Sequence, residues 1–250
     1  MAMAFARTDE QRMLAEMLEG ALGSSSGSWG DAFAQAGLDD LGVPTEEGGP
    51  GGGLRDAAVV AAALGRAAIA QPWSEHWAAT ALGARGEGPR ASTGPQALAF
   101  ANDASARERA ADAVCVLHCA EMVGLSRSML AQTVTHANER RQFGVAIGSF
   151  QALRHRMADM AMMIERAEAI TGAAVDAVED GTALRATVVS AARVVCEDVV
   201  RAVGDGAVQI HGAMGLTAEL RLGAYYRRAY DLSQADGTAA AHLRRYAEIL

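Results

Sequence analysis

Glu139-Arg140-Arg141-Gln142-Phe143-Gly144, with Phe150-Gln151 a few residues beyond, decides how this chain is read. It joins two long helical patterns by a short polar turn. The turn gathers a guanidinium, an amide and an aromatic face. Arginine pairs with phosphate through two parallel N–H bonds, and a phenyl ring offers a flat packing face. The set suits the diphosphate and adenine of a dinucleotide. The same arginines also fit a plain solvated helix end, because cations gather at helix C-termini for dipole reasons. A second loop, Gln209-Ile210-His211-Gly212-Ala213-Met214-Gly215, favours a flavin over a nicotinamide cofactor.

The flanking patterns are helical. Arg107 to Asn138 carries Val114, Leu117, Val123, Leu130 and Val134. Gln151 to Glu179 carries Leu153, Met157, Met160, Ile164 and Ile170. Its methionines read as core filler rather than a cofactor box. Leu184 to Val208 makes a third helix, Leu216 to Tyr230 a shorter fourth, and Thr238 to Leu250 closes the chain. Long helices joined by short turns predict an antiparallel bundle.

Nearer the N-terminus, Thr8-Asp9-Glu10-Gln11 is a capping box: Thr8 accepts from a first-turn N–H while Gln11 reaches back. It opens a helix with Met13, Leu14, Met17, Leu18 and Leu22 on one side. Trp29 to Leu38 reads as a short helix, Leu41 to Pro44 as extended, and Glu46 to Gly53 as a glycine-rich loop. Leu54 to Ala70 is helical and ends at Pro72. From Gly83 to Gly94, glycine, proline, serine and charge replace the apolar period, so this stretch reads as a linker. Gln96 to Ala101 fits one short strand. The expected organisation is all-α: a helical domain over 1–84, a linker over 85–103 and an antiparallel four-helix bundle over 104–250.

Composition agrees. Half of the 250 residues are hydrophobic, enough for a sizeable core, and scarce aromatics favour close-packed helices. A net charge of -8 rules out a broad basic field for nucleic acid. Cys115, Cys119 and Cys196 show no metal-ligand constellation, and Cys115 and Cys119, one helical turn apart, read as small core residues in a reducing compartment. No apolar run of the ~18–20 residues needed to span a bilayer is expected. Nor does a basic-then-apolar leader open the sequence. These readings predict a cytoplasmic protein with no membrane partner.

With these residues in view, the chain resembles an acyl-CoA dehydrogenase. In the first half the likeness rests on Thr8 to Gln11, Leu41-Gly42-Val43-Pro44-Thr45-Glu46-Glu47-Gly48-Gly49 and Ala62-Ala63-Leu64-Gly65-Arg66. In the second half it rests on Ala120-Glu121-Met122-Val123-Gly124, Arg140 to Gly144, Phe150-Gln151 and Gln209 to Gly215. Their order and spacing carry the signal. The resemblance implies an FAD held extended at a subunit interface. By it, Arg140, Gln142 and Phe143 sit against the diphosphate and adenine, and Thr238 is a further cofactor contact. Gln209 and Gly212 approach the cofactor of the adjacent subunit, where glycine lets backbone N–H groups come close to an anion. Ala213 departs from the family's usual second glycine.

The reaction implied removes two hydrogens from neighbouring carbons of an acyl thioester. A carboxylate takes the α-proton while the β-hydrogen leaves as hydride. Asp236-Gly237-Thr238 stands where the family often has Glu-Gly-Thr. Aspartate is one methylene shorter, and a reach error of about 1 Å costs on the order of 100-fold in rate. Asp236 reads equally as an N-terminal cap of the last helix. Some members carry the base on the first bundle helix, where Asp112 and Glu121 are available, and Glu121 is the second candidate. His211 reads as a loop residue.

The family also has a β-barrel domain between its helical parts. Residues 85–103 are too short for one, since strands need ~5–6 residues each. The resemblance therefore implies a shortened member, similar to subunits of heteromeric steroid and bulky-acyl dehydrogenases. It would work on an acyl-CoA with a fuller related subunit or a second copy of itself, passing electrons to an electron-transferring flavoprotein. The alternatives are a non-catalytic subunit that clamps a partner's FAD, a flavin-free helical interaction protein, and an oxygen-using flavin monooxygenase of the same fold.

Overall fold

The computed structural model describes residues 8–24, 38, 40–84, 103–212 and 221–249. Among these the protein is all-α apart from one small hairpin. The helix predicted at 29–38, except Leu38, the strand at 96–101 and nearly all of the linker lie outside the described residues.

Helix α1 (Asp9–Ser24) opens on the predicted box. The Gln11 N–H donates to Thr8 Oγ1 at 3.1 Å, and the Thr8 N–H to Gln11 Oε1 at 3.2 Å. Ala15, Leu18 and Leu22 form its buried face, while Met13 and Met17, expected there, stand 68% and 48% exposed. Helix α2 (Leu54–Ala67) is buried along most of its length. It stops at Ala68, in the left-handed region at φ 52°. Pro72 starts a helix instead of closing the helical region: α3 (Trp73–Ala84) follows, and the Pro72 carbonyl accepts the His76 N–H at 3.1 Å. A helix start has no use for an N–H there, so proline is tolerated.

Helix α4 (Ala104–Glu139) is the axis of the molecule, opened by Asp103, whose side chain accepts the Ala106 N–H at 2.7 Å. Around it pack α2, α3, α5 (Gln151–Glu179), α6 (Arg185–His211) and α7 (Leu222–Gln234), and α8 (Ala239–Ile249) packs on α6. The start predicted for α7 at Leu216 lies outside the described residues, and the helix runs four residues past Tyr230 to Gln234. Contrary to the sequence reading, α4 holds a stretch long and apolar enough to cross a bilayer. That stretch is 83% buried inside the protein, as befits a helix wrapped by others.

One hydrophobic core runs from Ala15 on α1 to Leu232 on α7. Its tightest point is the crossing of α2 and α4. A Cβ added to Gly65 would collide with the Glu121 carbonyl, and one added to Gly124 with the Ala62 carbonyl. Two glycines let the two backbones touch, and both belong to the motifs on which the family likeness rests.

Candidate functional site

The chain leaves α4 through Arg140 and forms a hairpin, with Arg141 opposite Ala146 and Gln142 opposite Val145. Phe143 and Gly144 make the turn, both at positive φ (53° and 83°). A two-residue turn of this hand matches the twist of a hairpin. Phenylalanine is a costly residue for it, because its Cβ crowds the backbone in the left-handed region. The ring stands 92% exposed and meets Phe150 edge-on, centroids 6.3 Å apart. Arg140, Arg141 and Gln142 are exposed beside it.

Gln209 and Gly212 lie at the same end of the molecule. His136 on α4 stacks on His211, with centroids 4.3 Å apart, and Ala137, Ile147 and Ile210 form a small core there. His211 is the last residue of α6, buried, with Nδ1 donating to the Ala207 carbonyl at 2.9 Å. Burial and the neighbouring His211 and Arg140 hold the His136 pKa below the ordinary histidine value. Gln209 is exposed, and Gly212 ends α6 at φ 66° with none of the described residues within 4 Å of where a Cβ would sit. The structure thus gathers Arg140, Gln142, Phe143, Gln209 and Gly212 at one end, while Ala213 lies outside the described residues.

Asp236 and Thr238 belong to the other end. Thr238 caps α8, its Oγ1 accepting the Ala241 N–H at 3.2 Å. The cap expected of Asp236 is therefore made two residues later. Asp236, at φ 57°, turns inward, and its Oδ2 lies 2.6 Å from His118 Nδ1. His118 Nε2 is 3.6 Å from Glu75 Oε1 on α3. Burial works to lower the His118 pKa. The hydrogen bond to Asp236 and the charges of Asp236, Glu75 and Glu121 outweigh it, and the pKa is raised. Asp236 also walls a cavity of about 310 Å³ beside Ala111, Cys115, Ala241 and His242.

The other carboxylates are occupied. Asp112 is held by Arg185 and Arg245, each at 2.7 Å. Glu121 is 1% exposed and gripped by Arg228 at 2.5 and 2.9 Å, one bond to each oxygen. Burial raises the Glu121 pKa, with Arg228 and His118 pulling it back only in part. Of the two candidate bases, Asp236 has an oxygen without a hydrogen bond from the described residues, and Glu121 does not.

Arg193, His118 and Glu75 carry this arrangement, and motif reading misses all three. Arg193 is fully buried; it pairs with Glu197 at 2.7 Å and donates to the carbonyls of Leu232, Ser233 and Ala235 at 3.2, 3.1 and 3.2 Å. It thereby satisfies the carbonyls that the end of α7 leaves open. The one available signal was a charge at a position where the helical period expects an apolar residue. Among the described residues no group of His, Cys, Asp and Glu is arranged to hold a metal, and the three cysteines are free and buried.

The sequence profile of the acyl-CoA dehydrogenase C-terminal domain matches residues 105–250. The chain belongs to the acyl-CoA dehydrogenase family. The acyl-CoA dehydrogenase IpdE2 of Mycolicibacterium smegmatis is 38% identical over 136 residues, covering 54% of this chain and 42% of that protein. IpdE2 of Mycobacterium tuberculosis is 35% identical over 135 residues, covering 54% and 41%. The chain spans about two-fifths of the length of these curated relatives. Its fold matches a chain of the ChsE4-ChsE5 complex from Mycobacterium tuberculosis with a TM-score of 0.81 at 16% identity, covering 98% of each chain. That likeness, one of fold, takes in the N-terminal helices that the profile does not reach. The chain is a shortened member of the family, covering only part of an acyl-CoA dehydrogenase.

Proposed function

We propose that this chain is one subunit of an FAD-dependent enzyme that dehydrogenates an acyl-CoA at the α and β carbons, paired with a related subunit that keeps the β-domain. The observation that carries this reading is Phe143. A bulky residue held at positive φ with its ring in solvent is a strained arrangement of the kind that clusters at ligand clamps. Arg140 supplies donors for a diphosphate and Phe143 a face for adenine, while Gly212 leaves room for a close approach. The residues present fit FAD. From His118 to Arg140, α4 climbs roughly 33 Å at about 1.5 Å per residue. That distance suits a grip offered to a neighbouring subunit's flavin. The free, buried thiols suit a reducing, cytoplasmic setting.

FAD, when bound, supplies the acceptor for the β-hydride. The chain's own part is the α-proton, which passes to Oδ1 of Asp236. Ala111, Cys115 and Ala241 leave space beside that carboxylate. Arg193 and His242 hold its backbone, His242 Nε2 donating to the Asp236 carbonyl at 2.8 Å.

The test is to co-purify the chain with the acyl-CoA dehydrogenase subunit that accompanies it and to measure flavin absorbance and turnover. A yellow, active complex is expected. A colourless complex, or a chain that alone holds stoichiometric FAD with full turnover, overturns the reading. A second reading, a clamp that supplies no base, is favoured by the tie between Asp236 and His118. Full activity of Asp236→Asn in the complex would establish it.

A further inference from the structure

We propose that His118 is a positioning residue for Asp236: it holds one carboxylate oxygen, leaves the other for the substrate's α-proton, and sets the pH range over which Asp236 serves as a base. This rests on the reading of Asp236 as that base.

Aspartate has less reach than glutamate, so its aim matters more. Its backbone is fixed first, by Arg193 on the carbonyl of Ala235 and by His242 on the carbonyl of Asp236 itself. The side chain is fixed next, by the 2.6 Å contact of Oδ2 with His118 Nδ1. Oδ1 has no hydrogen bond from the described residues, and Asp236 borders the 310 Å³ cavity. His118 cannot easily move. It is 4% exposed, in the middle of α4, with Glu75 of α3 on its far side.

The groups facing this pair carry both signs: Glu108 and Asp112 of α4 and Arg245 of α8 line the cavity beside Asp236, and Arg193 of α6 reaches the carbonyl of Ala235, while two carboxylates lie nearest His118. Glu75 comes from α3 and Glu121 from α4, the latter paired with Arg228 of α7, and His242 of α8 touches the Asp236 carbonyl. Glu75 Oε2 is buried without a hydrogen-bond partner among the described residues. This setting favours an imidazolium, and the raised His118 pKa agrees. Beside a cation, a carboxylate holds a proton weakly. When His118 loses its charge, Nδ1–H still donates to Oδ2, so the aim is kept while the proton arriving at Oδ1 no longer meets a neighbouring cation. The rate should rise as His118 deprotonates, with little change in KM.

Two measurements on the flavin-loaded complex test this. The first is NMR of ¹³C-labelled histidine, which follows the His118 ring without any turnover. Its pKa should fall by about 1 unit or more in Asp236→Asn, the size of a lost ion pair; an unchanged value overturns the proposal. The second is kcat against pH, with octanoyl-CoA and a cyclohexyl-bearing acyl-CoA as probes. His118→Gln keeps an amide donor but no titrating charge. It should lose the rising limb while staying within about tenfold of wild type. His118→Ala should lose on the order of 100-fold in kcat with KM nearly constant. A wild-type pH limb in His118→Gln overturns the proposal even if the alanine variant does not fold. If Asp236→Asn is inactive and both His118 variants behave as wild type, the positioning role fails and the base assignment stands. If Asp236→Asn retains full turnover, the base assignment itself fails.

Discussion

Asp236 and Thr238 sit two residues apart in one turn, yet one faces the interior and the other caps a helix. Arg193 keeps them apart in role, since its guanidinium fixes the carbonyls on which the turn is built. Arg193→Met should cost ~3–5 kcal/mol, the scale for stripping one partner from a buried pair. Urea denaturation would measure it, and a loss under about 1 kcal/mol would show the carbonyls to be satisfied otherwise. His118 gives stability a pH dependence. Its folded pKa lies above the ordinary value of 6.5. The group therefore contributes fully below about pH 6.5, and that contribution is lost as pH rises through the folded pKa. Thermal unfolding should show Tm falling across that window, and His118→Gln should flatten the fall. Glu121 acts in the same sense from a lower starting point, because its raised pKa makes ionisation costly above the ordinary 4.5. Comparison with His118→Gln isolates the histidine.

The crossing of α2 and α4 is set by Gly65 and Gly124. In most helices glycine to alanine stabilises, by up to ~1 kcal/mol. Gly124→Ala should do the reverse, since its methyl meets a backbone carbonyl that cannot give way; a loss of ~1–3 kcal/mol is expected. Gly172 on α5, with nothing within 4 Å of its added Cβ, is the control, and Gly172→Ala should be neutral or stabilising. Chemical denaturation of both variants checks the sign. At this scale much was legible in advance. The bonds of Thr8 and Gln11 form as the capping box requires, and α5 spans the predicted residues because Gln151 and Glu179 bound an unbroken apolar period. Helix α3 escapes the sequence reading because Pro72 reads there as a stop, although proline is also common at a helix start. The hairpin read only as a polar turn, because two-residue strands carry no period. The cofactor-grip candidates were readable because Arg140 to Phe143 adjoin one another in sequence. The link from Asp236 to His118 was not, for it joins residues 118 positions apart.

Across the whole molecule the two candidate sites are distinct, and this predicts separable defects. Phe143→Ala should lower the flavin content of the complex by about tenfold in affinity, the scale of ~1.4 kcal/mol, without lowering Tm. Asp236→Asn should leave flavin content intact. Absorbance titration of both complexes would show it, and equal flavin loss in the two would mean that the sites are not independent. The touching backbones of α2 and α4 have one more consequence. Because helices on either side of residues 85–102 already share an interior, the covalent joint there carries little of the work of assembly. Fragments 1–84 and 103–250, expressed separately, should complement each other on mixing. The same seam is then a port for splicing, open to foreign inserts that leave the helical body unchanged.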